Sequence, residues 1–321
     1  MGVNAFARPN AETPVAAGSS EDSLAHPLGP ADYLPLAKPE ITLLICLVAV
    51  GGYLLAAPLS VDFVRLGILV GTGASASAGA AMLNHFLDRD LDRRMHRTRD
   101  RPLANEHVLH GSNVAVVGVV LLAVGIGLAT WLLNPLTGLS ILLGGVTYVG
   151  IYTFWLKRRS SWNIVIGGFA GSAPALAGSA AAVGAWTPGV LAFALLVFLW
   201  TPPHFWSLAL LLRNDYARAN LPMLPRMQDV PFSGKVVVVS AALLVPAALL
   251  IGWTGAVAWP VLLALVALGL LFVGVTAPLW RSVTPRLARR GFIFSGPYLL
   301  AVVAVLLVNI PLVRAGVPSG L

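Results

Sequence analysis

Chemistry is concentrated in one segment, Asn84-His85-Phe86-Leu87-Asp88-Arg89-Asp90-Leu91-Asp92-Arg93-Arg94. On an α-helix Asn84, Asp88 and Asp92 are offset by about 40° per step and each step rises about 6 Å, so they share one face. Like charges at that spacing repel, and a divalent cation joining them removes the conflict. Mg2+ suits the set, because it takes one or two protein carboxylates, keeps several waters and completes its shell with substrate phosphate oxygens. Asp88 and Asp92 are therefore candidate metal ligands, with Asn84 beside them. Downstream lies Arg97-Thr98-Arg99-Asp100-Arg101-Pro102-Leu103, and Lys157-Arg158-Arg159 follows a later apolar stretch. Forked guanidinium groups match phosphate oxygens. Arg97, Arg101, Lys157 and Arg158 beside carboxylates thus describe a diphosphate site, although for Lys157 to Arg159 the marking of membrane topology explains the position equally well.

A second constellation is Trp200-Thr201-Pro202-Pro203-His204-Phe205-Trp206, followed by Arg213-Asn214-Asp215-Tyr216. His204 lies among apolar residues about two turns from the end of its stretch, and an ionisable group at that depth is a functional candidate by default. The structural alternative is a His hydrogen-bonded across a helix bundle. A continuous helix would carry Asp215 to within about 20° of the same face, about 16 Å further on. The paired prolines free backbone carbonyls and open the helix toward a cavity. His85, His96, His107 and His110 read as members of a polar loop, solvated or near phosphate.

These residues need elements to hold them. Of 321 residues, 57% are hydrophobic and 11% charged, with a mean hydropathy of +0.83, against about a quarter charged in an ordinary soluble domain. That excludes a water-soluble globule and leaves lipid as the solvent. Nine apolar stretches follow, at about 41–57, 64–87, 113–134, 136–156, 163–183, 189–212, 235–255, 257–280 and 292–312. Each approaches the roughly 20 residues that cross a bilayer as helix. Of 21 Lys and Arg residues, 19 fall before the first stretch or after an even-numbered one, leaving Arg65 and Arg314 on the other side. That alternation puts the N-terminus and the even-to-odd loops in the cytoplasm and the C-terminus opposite. The +8 balance therefore reports topology, not nucleic-acid binding.

The predicted class is an all-α polytopic membrane protein. Residues 1–37 read as a mobile N-terminal tail with no secretory signal, 38–314 as the nine-helix domain and 315–321 as a short C-terminal tail. Cys46 is the single cysteine, so no intramolecular disulfide forms. The small-residue run Gly71 to Ala81 and Gly167, Gly168, Gly171 and Gly178 predict close helix packing, or room for an elongated ligand. Acid-bearing ends after the second and sixth stretches hint at a duplicated four-helix unit with a ninth helix appended.

At these residues the chain resembles the UbiA-type intramembrane prenyltransferases, and within them the heme-modifying subgroup. N-x-x-x-D-x-x-x-D is matched by Asn84, Asp88 and Asp92, and R-T-x-x-R-P-L by Arg97 to Leu103. Tyr152-Thr153 with Leu156-Lys157-Arg158, Asn163 to Gly168, Thr201 to Trp206, and Asp215-Tyr216 through Pro222 to Pro225 extend the likeness from about residue 38 to 312. The resemblance implies transfer of farnesyl from farnesyl diphosphate to a vinyl group of heme b, with water addition giving heme O for terminal oxidases. It implies a multi-pass protein of the cell inner membrane that needs Mg2+. Asn84, Asp88 and Asp92 would hold metal and diphosphate, and Arg97, Arg101, Lys157 and Arg158 would neutralise the leaving group. His204 would bind heme, and Asp215 would serve a second polar site. The implied partners are the two substrates and the enzyme or oxidase assembly factor that receives the product. One departure stands out: the superfamily has a second acid pair four residues apart, and here Ala219 follows Asp215 at that spacing. Two other readings remain: a prenyltransferase for a quinone precursor or another aromatic acceptor, which gives His204 no task, and a carrier, which would place its charges at mid-membrane.

Overall fold

The structure, a computed structural model, describes residues 26–27, 29–104, 108–109, 111–224 and 229–319. The first 25 residues of the expected tail, with Arg8, and also His107, His110 and Arg226, lie outside the described residues. Nine helices among those described are long and apolar enough to cross a membrane. They are Pro39–Ala56, Phe63–Asp92, Gly111–Leu132, Pro135–Leu156, Asn163–Val183, Pro188–Leu211, Val230–Trp253, Trp259–Trp280 and Pro285–Arg314, called here the first to ninth spans. Every expected stretch overlaps one of them.

Local chemistry sets the sharp breaks. Between the third and fourth spans, the Asn134 side chain accepts a hydrogen bond from Thr137 N at 2.8 Å and caps the helix opened by Pro135. After the fifth, Gly184 takes φ +71°, a left-handed conformation that favours glycine, and Pro188 starts the next helix. The sixth span runs on through Pro202 and Pro203, both buried, so the prolines do not break it.

The apolar surface is divided as lipid demands. Val116, Val119, Val120, Val124 and Leu128 of the third span are exposed, a stripe that water would not tolerate and hydrocarbon does. Exposed Trp131, Trp253 and Trp259 lie at one end of the bundle, and Trp162 and Trp280 at the other, as interfacial belts do. Inside, the main core gathers around Phe193, Phe272 and Tyr298 where the sixth, eighth and ninth spans meet.

Two glycines explain how closely the first and fifth spans approach. A side chain at Gly52 would collide with the Ala175 backbone, and one at Gly178 with the backbone of Ala49 and Tyr53. The small-residue run of the second span packs closely at one point and leaves space at another. Gly79 lies against the Gly118 backbone of the third span, whereas Gly73 faces open space.

Three expectations need correction. Residues 30–36, assigned to the tail, form the helix Pro30–Leu36, and the fully buried Leu36 packs with Met82, Leu103 and Val114; four apolar residues meeting there outweigh the polar composition upstream. His85 is not in a loop but buried in the second span, which continues to Asp92. The helix carrying His204 ends at Leu211, and Arg213–Arg218 is a separate short helix after the turn at Leu212. Extending one helical face from His204 to Asp215 therefore fails.

Candidate active site

The second span delivers the acidic stripe as its period requires. Asn84, Asp88 and Asp92 are all buried. Asn84 Nδ2 donates to Asp88 Oδ2 at 2.8 Å and to Thr153 Oγ1 at 3.1 Å. Lys157 Nζ meets the same Asp88 oxygen at 2.5 Å. Arg101 Nη1 donates to both oxygens of Asp92, at 3.1 and 3.0 Å. Arg101 reaches back because the chain after the span folds onto its end: Thr98 Oγ1 donates to the Asp92 carbonyl at 3.1 Å and Arg93 Nε to that of Ala104 at 3.0 Å.

The repulsion expected along the stripe is thus met by Lys157 and Arg101. The case for a metal rests instead on Asp88 Oδ1, which is buried and has no hydrogen-bond partner. An unpaired buried carboxylate oxygen is costly and is a hard donor of the type Mg2+ prefers. Among the described residues no group of three or more His, Cys, Asp or Glu side chains could hold a metal. Any cation here must therefore draw part of its shell from water or substrate oxygens, as Mg2+ does.

Lys38 and Tyr148 complete the cluster, and sequence reasoning missed both. Lys38 Nζ donates to Asn84 Oδ1 at 2.6 Å and to Tyr148 Oη at 3.2 Å. Burial, with Arg101 and Lys157 nearby, pushes the Lys38 amine down to about 7. Tyr148 arrives through a π-helix, Val146–Leu156, in which Lys157 N bonds Tyr152 O at 2.8 Å. The wider turn brings Thr153 Oγ1 onto the Tyr148 carbonyl at 2.7 Å and stacks the rings of Tyr148 and Tyr152, 6.1 Å apart. Such π segments recur at functional sites.

Below this polar head lies an apolar cavity of about 220 Å³ between the first, second, fourth, fifth and sixth spans. Lys38, Tyr148 and Tyr152 stand among its lining residues, with Gly73, Ala76, Ser77 and Ala80 of the second span, and Leu69 extends it. From Asn84 to Leu69 the helix rises about 22 Å, enough for an extended hydrocarbon chain.

Other expected residues stand apart. Arg158 is exposed and donates to the Leu87 carbonyl at 2.7 Å, tying the fourth span to the second without facing the cavity. The exposed Arg97 donates its backbone N–H to Asp215 Oδ2 at 3.2 Å, so Asp215 joins the arginine loop and not the face of His204. Beside it, burial raises the Tyr216 hydroxyl above its ordinary range. His204 Nδ1 bonds Ser295 Oγ at 2.6 Å, and its ring stacks on Trp200 and meets Phe205 edge-on at 5.2 Å. Phe205 lines the cavity and His204 does not. The cross-bundle hydrogen bond weighed as the structural alternative for His204 is the one present.

Residues 43–296 match the UbiA prenyltransferase family. Protoheme IX farnesyltransferase of Metallosphaera sedula is 42% identical over 285 residues, 88% of this chain and 95% of the relative. The protein of that name from Sulfurisphaera tokodaii is 40% identical over 282 residues, 86% and 92% of the two chains. Among solved structures, a digeranylgeranylglyceryl phosphate synthase superposes with a TM-score of 0.72 at 16% identity, covering 87% of this chain and 98% of that one. A UbiA homolog from Archaeoglobus fulgidus bound to GPP and Mg2+ gives 0.66 at 17%, covering 86% and 99%. The fold, and identity of 40% or more to such relatives over most of both chains, make the chain a member of the UbiA prenyltransferase family and, within it, of the protoheme IX farnesyltransferases.

Proposed function

We propose that the chain transfers farnesyl from farnesyl diphosphate to a vinyl group of heme b, with addition of water, giving heme O and diphosphate. The observation carrying this reading is the buried Asn84, Asp88 and Asp92 stripe, ringed by Lys38, Arg101 and Lys157 at the head of an apolar cavity. A diphosphate belongs among the cations and a prenyl chain in the cavity. Asp88 and Asp92 would hold Mg2+, which when bound neutralises charge developing on the leaving phosphate. The similarity to proteins named protoheme IX farnesyltransferase supports heme as acceptor, and the cation bias of the loops supports a cytoplasmic active face in the cell inner membrane.

The chain's own residues do the rest. Lys38, Arg101 and Lys157 hold phosphate oxygens while the bond from farnesyl C1 to oxygen breaks. The aromatic faces of Tyr148, Tyr152 and Phe205 stabilise the allylic cation, and the apolar wall keeps water from quenching it. C1 then bonds the terminal vinyl carbon. Water oxygen adds to the inner carbon, and the proton it sheds leaves with solvent. The heme would lie against the aromatic wall of Trp200, His204, Phe205 and Phe292, where one His204 nitrogen is taken by Ser295. His204→Ala is expected to weaken heme retention at least severalfold, read from the Soret band of purified protein. An unchanged Soret band and activity would remove His204 from the site.

Chain length offers an independent check. A side chain at Gly73 meets open space on the cavity side, about 16 Å of helix rise from Asn84. Gly73→Phe should fold, lower farnesyl use at least about tenfold and spare a dimethylallyl donor; equal losses for both donors would take the prenyl chain out of this cavity. Acceptor identity is tested by offering membranes farnesyl diphosphate, Mg2+, heme b and a naphthoate together. Farnesylated heme is the expected product, and prenylated naphthoate alone would favour the quinone-precursor reading.

A further inference from the structure

We propose that this site takes one divalent cation and not two, with Lys38 supplying the positive charge that a second cation would bring. The inference rests on the prenyl diphosphate reading above. Lys157 pairs with Asp88, Arg101 with Asp92, and Lys38 reaches Asn84, whose amide donates to Asp88. With the Lys38 amine protonated, the form an incoming anion favours, three cations against two carboxylates leave one positive charge in a largely buried cluster. One divalent cation with a fully ionised diphosphate ester, which carries three negative charges, brings the total to zero. A second divalent cation would leave two positive charges uncompensated where unpaired charge is expensive.

Among the described residues, the sixth-span end offers no pair of acids for a second metal. Its acid, Asp215, accepts from Arg97 N at 3.2 Å and lies 3.8 Å from Arg218 Nη1. Four residues on, where a second acid would complete a pair, stands the buried Ala219. Lys38, by contrast, is held in place. Leu36, two residues before it, is fully buried against the second span, and Lys38 itself takes φ +48° between the helices Pro30–Leu36 and Pro39–Ala56. That left-handed turn is unfavourable for a residue with a Cβ. It leaves Nζ on Asn84 Oδ1 and Tyr148 Oη, at the mouth of the cavity.

The test uses the full chain in lipid nanodiscs with farnesyl thiodiphosphate, an unreactive sulfur analogue of the donor, titrated with Mn2+ and followed by electron paramagnetic resonance. One analogue-dependent Mn2+ per chain is expected. At saturating Mn2+, Lys38→Met should bind the analogue at least about tenfold more weakly, and Lys38→Arg should recover most of the affinity. Two Mn2+ per chain, or wild-type affinity in Lys38→Met, would overturn the proposal and leave the prenyltransferase reading intact. If wild-type protein binds neither analogue nor Mn2+, both fall. Should Lys38→Met fail to fold, the Mn2+ count on wild-type protein decides.

Discussion

Asp88→Asn is expected to cut heme O formation by about 1000-fold while the protein still inserts and folds. Asp88 Oδ1 is the buried oxygen without a partner, and Oδ2 takes Asn84 Nδ2 and Lys157 Nζ. An amide keeps the volume and one oxygen, but it loses the charge that would hold a divalent cation against diphosphate. Removing a single transition-state charge stabiliser costs about 100- to 1000-fold, and here metal and lysine placement fail together. The measurement is heme O formed per unit of membrane-inserted protein. Near-normal product from Asp88→Asn would dissociate the stripe from the chemistry.

Lys157→Met should strike both stability and activity. The Lys157–Asp88 pair is largely enclosed, with side-chain exposures of 15% and 2%, and breaking a buried pair costs about 3–5 kcal/mol because the remaining charge stays buried. The variant is therefore expected to melt well below the wild type and to lose at least about 100-fold in product. A divalent cation can stand in for the lost ammonium, so Mg2+ should raise the melting temperature of Lys157→Met more than that of the wild type. Equal Mg2+ shifts in the two proteins would separate Lys157 from the metal site.

The spans were legible because length, hydropathy and the alternation of cations are local properties, and each pointed to the same nine helices. The stripe was legible for a similar reason: the α period holds from Asn84 to Asp92. Tyr148 was hidden by the π-helix of Val146–Leu156, which no α-helical spacing anticipates. Lys38 counted in the sequence only as a loop cation, since its place depends on the buried anchor Leu36 and a left-handed backbone. Asp215 was misplaced because the helix of His204 was extended past its end at Leu211. His204 finds its partner, Ser295, on a span 91 residues away, a pairing that only the packed bundle defines.

The central claim is that Asn84, Asp88 and Asp92, with their three cations, bind the diphosphate whose release drives farnesyl transfer to heme. Its most direct test reconstitutes purified protein with heme b, farnesyl diphosphate and Mg2+, and measures farnesylated heme and released diphosphate together. The expected result is equal amounts of both, lost on chelation of Mg2+ and in Asp88→Asn. Undiminished formation of farnesylated heme by Asp88→Asn, or diphosphate release with no farnesylated heme, would contradict it.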